Sequence, residues 1–123
     1  MRLTVFSLSD LDTDQYKKSI NRVLNGCSLS PDPLRKTYAA VFNGSVLAIM
    51  SAKGDCIDYF NVLEVTRNRG VGSYLLKEAC NNLLKEYRQL ILSPDLSAVT
   101  DFVSFAEKYG FDNGTLTRPI KLL

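Results

Sequence analysis

The residues best placed to do chemistry are Arg67-Asn68-Arg69-Gly70-Val71-Gly72, the pattern R-x-x-G-x-G. An apolar, strand-like run ends at Leu63 before it, and a helix-like run begins at Ser73 after it. A strand, a glycine turn and a helix N-terminus in that order point several main-chain N–H groups outward, and the helix dipole adds partial positive charge there. Such a junction suits an anion, best phosphate or pyrophosphate. Gly70 and Gly72 lack a Cβ, so both are expected to let the backbone close on a ligand and to take φ angles that other residues avoid. Arg67 and Arg69 add charge beside the turn. Taken alone, the pattern also fits an ordinary glycine turn before a helix. Two other phosphate motifs fit poorly: the third glycine of G-x-G-x-x-G would fall at Leu75, and no G-K-[S/T] follows.

Proton chemistry is restricted. The chain has no His, which removes the usual general base near neutral pH. Asp, Glu, Tyr, Cys or water must serve instead. Cys27, Cys56 and Cys80 form no C-x-x-C pair, and without His they complete no zinc site. Scattered thiols of this kind imply a reducing cytoplasm. The net charge of +2 gives no bulk-charge reason to bind nucleic acid. No apolar run approaches the roughly 18 to 20 residues of a membrane span. The start, M-R-L-T-V-F-S-L-S-D, reads as a strand and not as a signal segment. At 123 residues, 46% hydrophobic and 23% charged, the chain suits one domain over 1–123 with one sizeable core.

The elements that must position the turn follow from pattern. Leu3 to Leu8 reads as a strand, apolar on both faces. Ser9, Asp10, Asp12 and Thr13 offer caps for a helix from about Thr13 to Asn25, with Tyr16, Ile20, Val23 and Leu24 on one side and Gly26 as its stop. Cys27 to Lys36, with Pro31 and Pro33, reads as a surface loop. Thr37 to Phe42 and Val46 to Ala52 are strands joined by Asn43-Gly44-Ser45, a strong hairpin signal. Lys53-Gly54-Asp55 turns into a third strand, Cys56 to Leu63. A helix from Ser73 to about Tyr87 buries Leu75, Leu76, Ala79, Cys80, Leu83 and Leu84. Gln89 to Leu92 is a short strand that Ser93-Pro94-Asp95 ends. Thr100 to Tyr109 is a helix closed by Gly110, and Phe111 to Leu123 holds a terminal strand or hairpin around Asn113-Gly114. The order β-α-βββ-α-β-α-β gives an α/β fold, a mixed and mostly antiparallel sheet flanked by helices. Strand–helix–strand crossovers are expected to make parallel neighbours and the hairpins antiparallel ones.

The run from Phe60 to Leu76 resembles the acetyl-CoA-binding motif of the GNAT (GCN5-related N-acetyltransferase) superfamily, a strand ending in L-x-V, four residues, then (R/Q)-x-x-G-x-(G/A). Phe105-Ala106-Glu107-Lys108-Tyr109-Gly110-Phe111 resembles that superfamily's late helix and turn, F-Y-E-K-x-G-F. The resemblance implies acetyl-CoA or CoA as cofactor, held by Phe60, Asn61, Val62, Thr66, Arg67, Asn68, Arg69, Gly70, Val71, Gly72 and Ser73. N–H groups from Arg69 to Ser73 would cradle the pyrophosphate, and the backbone of Phe60 and Val62, at a splayed strand end, would take the pantetheine arm. In the superfamily a Tyr often protonates the leaving thiolate from the second place of the late motif, where this chain has Ala106. Tyr109, three residues on, reads as a packing residue. Asp58 and Glu64 are the candidate bases for acetyl transfer to an amine, each equally at home as a solvated carboxylate or an ion-pair partner.

A narrower likeness lies in Met1 to Thr4, Tyr38 to Asn43 and Glu64 to Leu76, which resemble the PanZ family of small single-domain GNAT-like proteins. That resemblance implies a regulator, loaded with acetyl-CoA or CoA, that binds the aspartate 1-decarboxylase zymogen PanD and promotes its self-cleavage to the pyruvoyl enzyme. It would thereby feed CoA levels back onto pantothenate synthesis. Tyr38, Val41, Asn43, Leu63 and Glu64 are the candidate partner surface, although the family pattern carries Arg at the places of Val41 and Leu63. The alternative is an active N-acetyltransferase acting on a small-molecule or protein amine.

Overall fold

Two asparagine–glycine turns set the strand pairing. In the computed structural model, which describes residues 3–10, 13–64 and 70–121, Asn43 and Gly44 have φ of 51° and 74°, and Asn113 and Gly114 have 51° and 77°. Both torsions positive is the two-residue turn whose twist matches that of the flanking strands. The first joins β2 (Arg35–Phe42) to β3 (Ser45–Lys53) with Phe42 opposite Ser45, and the second leads into β6 (Thr115–Leu116). A turn at Gly54 then passes the chain to β4 (Cys56–Val62). With β1 (Thr4–Ser7) on one edge and β5 (Leu90–Leu92) inside the other, the sheet runs β1-β2-β3-β4-β5-β6.

The expectation that crossovers give parallel neighbours holds at one place only. β4 and β5, joined through α2 (Val71–Leu83), are parallel; β1–β2 and β5–β6 are antiparallel despite the helices between them. A single helix carries the chain back once, so the next strand starts beside the start of the last. After β1 the chain turns through a single 3-10 turn (Leu8–Asp10), runs along α1 (Thr13–Leu24), and returns through the 25–34 loop to the end of β1 it left. Between β5 and β6 lie two helices, α3 (Pro94–Ser97) and α4 (Thr100–Lys108), and the chain again comes back to its point of departure, Leu92 donating to the Gly114 carbonyl at 2.9 Å.

Helix α1 ends where Asn25 and Gly26 both take positive φ, 49° and 83°, one residue before the glycine expected to stop it. It covers one face of the sheet, where Ile20 and Val23 pack with Ala39, Val41, Val46 and Ile49. The other face carries the larger core: α2 buries Val71, Leu75, Leu76, Ala79, Cys80 and Leu83 against Ala48, Met50, Ala52 and Ile57. Each fully buried leucine there is worth roughly 1.5–3 kcal/mol relative to exposure. Helix α2 starts two residues earlier than the sequence suggests, because Gly70 takes φ 80° and lets Val71 begin the first turn.

Candidate functional site

The opening in the molecule is made by a strand that stops early. β5 pairs with β4 at Cys56–Ile91 and Ile57–Leu92, and Ser93 donates to the Ile57 carbonyl at 2.8 Å. Ser93-Pro94 then ends the strand: the Ser93 hydroxyl caps α3 by accepting from Leu96 N–H at 3.2 Å, and Pro94 sits at the first helical position. This short helix is absent from the sequence reading. β4 continues to Val62 without β5 beside it, and α4 stands across the gap.

The gap is a cleft of about 810 Å³. Its floor is Phe60, Asn61 and Val62 of β4; its far wall is Val99, Asp101, Phe102, Phe105, Lys108 and Tyr109; Gly70, Gly72 and Ser73 form the rim at the start of α2. Phe60 lies 5.1 Å from Phe102 and 5.7 Å from Phe105 between ring centroids, and Tyr109 meets Phe105 edge-on at 5.3 Å. Lys108 Nζ stands 5.7 Å from the Tyr109 ring. A cleft that combines a cluster of rings with polar groups, among them Ser73, Asp101 and Lys108, fits a flexible arm of mixed polarity ending in an anion.

The rim is the start of α2. Gly70 caps α2 with no side chain, so the helix opens without a side-chain cap from its N-cap residue. The Ser73 hydroxyl donates to the Gly70 carbonyl at 3.1 Å and steadies the turn. Gly70 uses its positive φ as expected. Gly72 does not: it sits in ordinary helical backbone, and a Cβ there would lie 3.2 Å from Val62 Cγ2 and 3.5 Å from Phe105 Cζ. Its missing side chain lets α2 approach the floor and the aromatic wall. The Val71 side chain is in the core. Thr66, Arg67, Asn68 and Arg69 lie outside the described residues.

Asn61 sits beside the cleft, but its side chain crosses to the opposite face, where Nδ2 donates to the Val23 carbonyl at 2.8 Å. Asp58 is remote from the trough. Its carboxylate takes two bonds from Arg35, Nη1 to Oδ1 and Nη2 to Oδ2, both 2.8 Å. The guanidinium, its pKa raised chiefly by the bond to Asp58, keeps its charge at any pH the fold survives. An occupied carboxylate of this kind is a poor general base. Glu64 is exposed just past the end of β4. Ala106 is wholly buried behind the wall, and Tyr109 lines the trough itself, so the packing role expected of it is only part of its placement.

The candidate partner residues separate. Tyr38 is 4% exposed, and its hydroxyl donates to Asn82 Oδ1 at 2.6 Å. Val41 is 7% exposed beneath α1. Both are buried, whereas Asn43 and Glu64 are exposed and Leu63 is half-buried against the α1 core. The sequence reading missed the far wall as a wall. Phe102, Phe105 and Tyr109 recur at helical spacing, a signal that reads equally well as ordinary core.

Comparison with known proteins agrees with this geometry. The family model described as acetyltransferase (GNAT) domain, PanZ, matches residues 3–113. The PanD regulatory factor of Escherichia coli K12 is 36% identical over 89 residues, 67% of this chain and 69% of that protein. The factor of the same name from Salmonella typhimurium is 34% identical over 85 residues, 63% of this chain and 66% of that protein. The solution structure of an E. coli N-acetyltransferase homologue, YhhK, bound to coenzyme A superposes with a TM-score of 0.68 at 26% identity, covering 94% of this chain and 96% of that one.

Proposed function

The chain belongs to the PanZ family of GNAT-type acetyltransferase domains, and from that premise we propose that it is an acetyl-CoA- or CoA-dependent regulator of PanD. In this reading the pantetheine arm lies along Phe60 and Val62, the aromatic wall of α4 covers it, and the pyrophosphate sits on the N–H groups opening α2. Charge-assisted bonds of that kind contribute roughly 1.5–3 kcal/mol each. So loaded, the protein docks on the PanD zymogen in the cytoplasm and favours the backbone conformer that cleaves itself to the pyruvoyl enzyme. The cleavage chemistry belongs to PanD, and this chain acts by binding one conformer better than the other.

One observation favours regulator over enzyme: the cleft is present among the described residues, while the superfamily's usual proton donor is replaced and one of the two candidate bases is occupied. Ala106 stands at the place of the superfamily's proton donor and is wholly buried, and Asp58 is tied to Arg35. Calorimetric titration with acetyl-CoA tests the first half, and incubation of the complex with PanD precursor, read by mass spectrometry, tests the second. Binding followed by two PanD fragments is the expected result; an uncleaved precursor with bound cofactor would remove the PanD role.

A second reading, acetyl transfer to an amine, has one observation in its favour: the Tyr109 ring lines the trough and carries a hydroxyl. It requires steady CoA release with an amine substrate, lost in Tyr109→Phe or Glu64→Gln.

A further inference from the structure

Ile57 and Phe60 are three residues apart in β4 and yet serve the same side of the sheet. Ile57 is wholly buried in the core under α2, and Phe60 stacks on Phe102 and Phe105. A regular strand alternates its faces, so an odd spacing cannot do this. The pairing supplies the reason. Tyr59 lies opposite Ser51 and Ile57 opposite Ala52, so Asp58 is an extra residue with no counterpart in β3. It is a β-bulge. Were Asp58 drawn into the ladder, the residues after it would exchange faces: Phe60 and Val62 would turn toward α1, and Tyr59 and Asn61 toward the cleft.

One side chain binds both oxygens of that extra residue's carboxylate. Arg35 has five N–H donors, and each meets an acceptor. Nη1 donates to Asp58 Oδ1 and to Ser51 Oγ at 2.8 Å each, and Nη2 to Asp58 Oδ2 at 2.8 Å and Ser30 Oγ at 3.2 Å. Nε donates to the Ser30 carbonyl at 2.7 Å. The side chain is only 10% exposed. From β2 it therefore joins the 25–34 loop, β3 and the bulge at a single point.

We infer that Arg35 is a positioning residue for the cofactor cleft. By fixing Asp58 as the extra residue of β4, it keeps Phe60 and Val62 turned to the trough. The functional consequence rests on the CoA reading above; the effect on β4 does not. The rival account, an ion pair that only neutralises two charges, requires no change in the cleft when the pair is removed.

The test compares wild type with Arg35→Met, Arg35→Lys and Asp58→Asn. Acetyl-CoA affinity is read by calorimetry, and the Phe60–Phe105 contact by ring-to-ring nuclear Overhauser cross-peaks. In folded Arg35→Met we expect the cross-peaks to vanish and affinity to fall about tenfold or more. Arg35→Lys keeps the charge but not the planar fork, and its affinity should lie between the two. Wild-type cross-peaks in Arg35→Met overturn the inference, whether or not affinity falls. Should Arg35→Met not fold, Asp58→Asn decides: weakened cross-peaks and affinity support the inference, and wild-type values of both overturn it. Should wild type itself bind no acetyl-CoA, the functional reading fails separately, and the cross-peaks alone still decide the role of Arg35.

Discussion

The two sides of β4 solve opposite problems with neighbouring residues. Toward α1, Tyr59 Oη and Asn61 Nδ2 both donate to the Val23 carbonyl, at 3.3 and 2.8 Å, and Ser19 Oγ accepts from the Val46 N–H at 3.0 Å. That side is filled. Toward α4, Phe60 and Val62 meet rings across a gap, and the helix at its rim begins on a residue with no side chain. The difference comes from what ends each neighbouring element. α1 runs the length of its face, whereas β5 is stopped by Ser93-Pro94 before it can close the sheet beside β4. A buried polar group with its partners in place specifies structure; an open cleft that combines rings with polar groups invites a ligand.

The contrast is broken most forcibly at Gly72. Gly72→Val places a branched side chain against Val62 and Phe105, where a Cβ already comes within 3.2 Å. We expect α2 to be pushed off the floor and acetyl-CoA affinity to fall about a hundredfold or more, roughly 2.7 kcal/mol, in calorimetry. An unchanged affinity in a folded variant would remove the cleft from the binding site.

The core under α2 is tested by alkali. Burial pushes both the Tyr38 hydroxyl and the Cys80 thiol up to about 12, from ordinary values of 10.0 and 9.0. Each ionises more readily in the unfolded chain, so its contribution is complete below the ordinary value and is lost as pH rises toward 12. Unfolding free energies from urea titrations should fall between pH 8 and pH 11, by on the order of 1–3 kcal/mol per group. Tyr38→Phe should flatten part of that slope; an identical slope would show that Tyr38 ionises freely in the fold.

Asn61→Ala separates the two sides of one residue. Removal of the bond to Val23 should cost about 1 kcal/mol of stability, measured by thermal melting, and leave acetyl-CoA affinity within about twofold. A large loss of affinity with little loss of stability would assign the side chain to the cleft. The smallest effect belongs to the exposed pair of Lys36 and Glu86, 2.5 Å apart. Glu86→Gln should change stability by less than about 0.5 kcal/mol, and that little should vanish in high salt.

Sequence pattern alone determined the elements and their punctuation. Asn43-Gly44 and Asn113-Gly114 dictated their turns because both residues tolerate positive φ, and the stripe Leu75, Leu76, Ala79, Cys80 and Leu83 dictated a buried helix face by its spacing. It also marked Gly70 as the turn residue that opens a helix, because glycine takes a positive φ without steric cost. Tertiary structure decided the rest. The direction of β2 against β1 depended on a loop that returns the chain, which periodicity does not record. Tyr38 and Val41 became interior because a second layer covers them. Asp58 passed from candidate base to the partner of an arginine 23 residues earlier, and Phe102, Phe105 and Tyr109 from a core stripe to a wall. Pattern along a chain reports which residues can share a face. Which face meets another, and which is left open, depends on contacts between residues far apart in sequence.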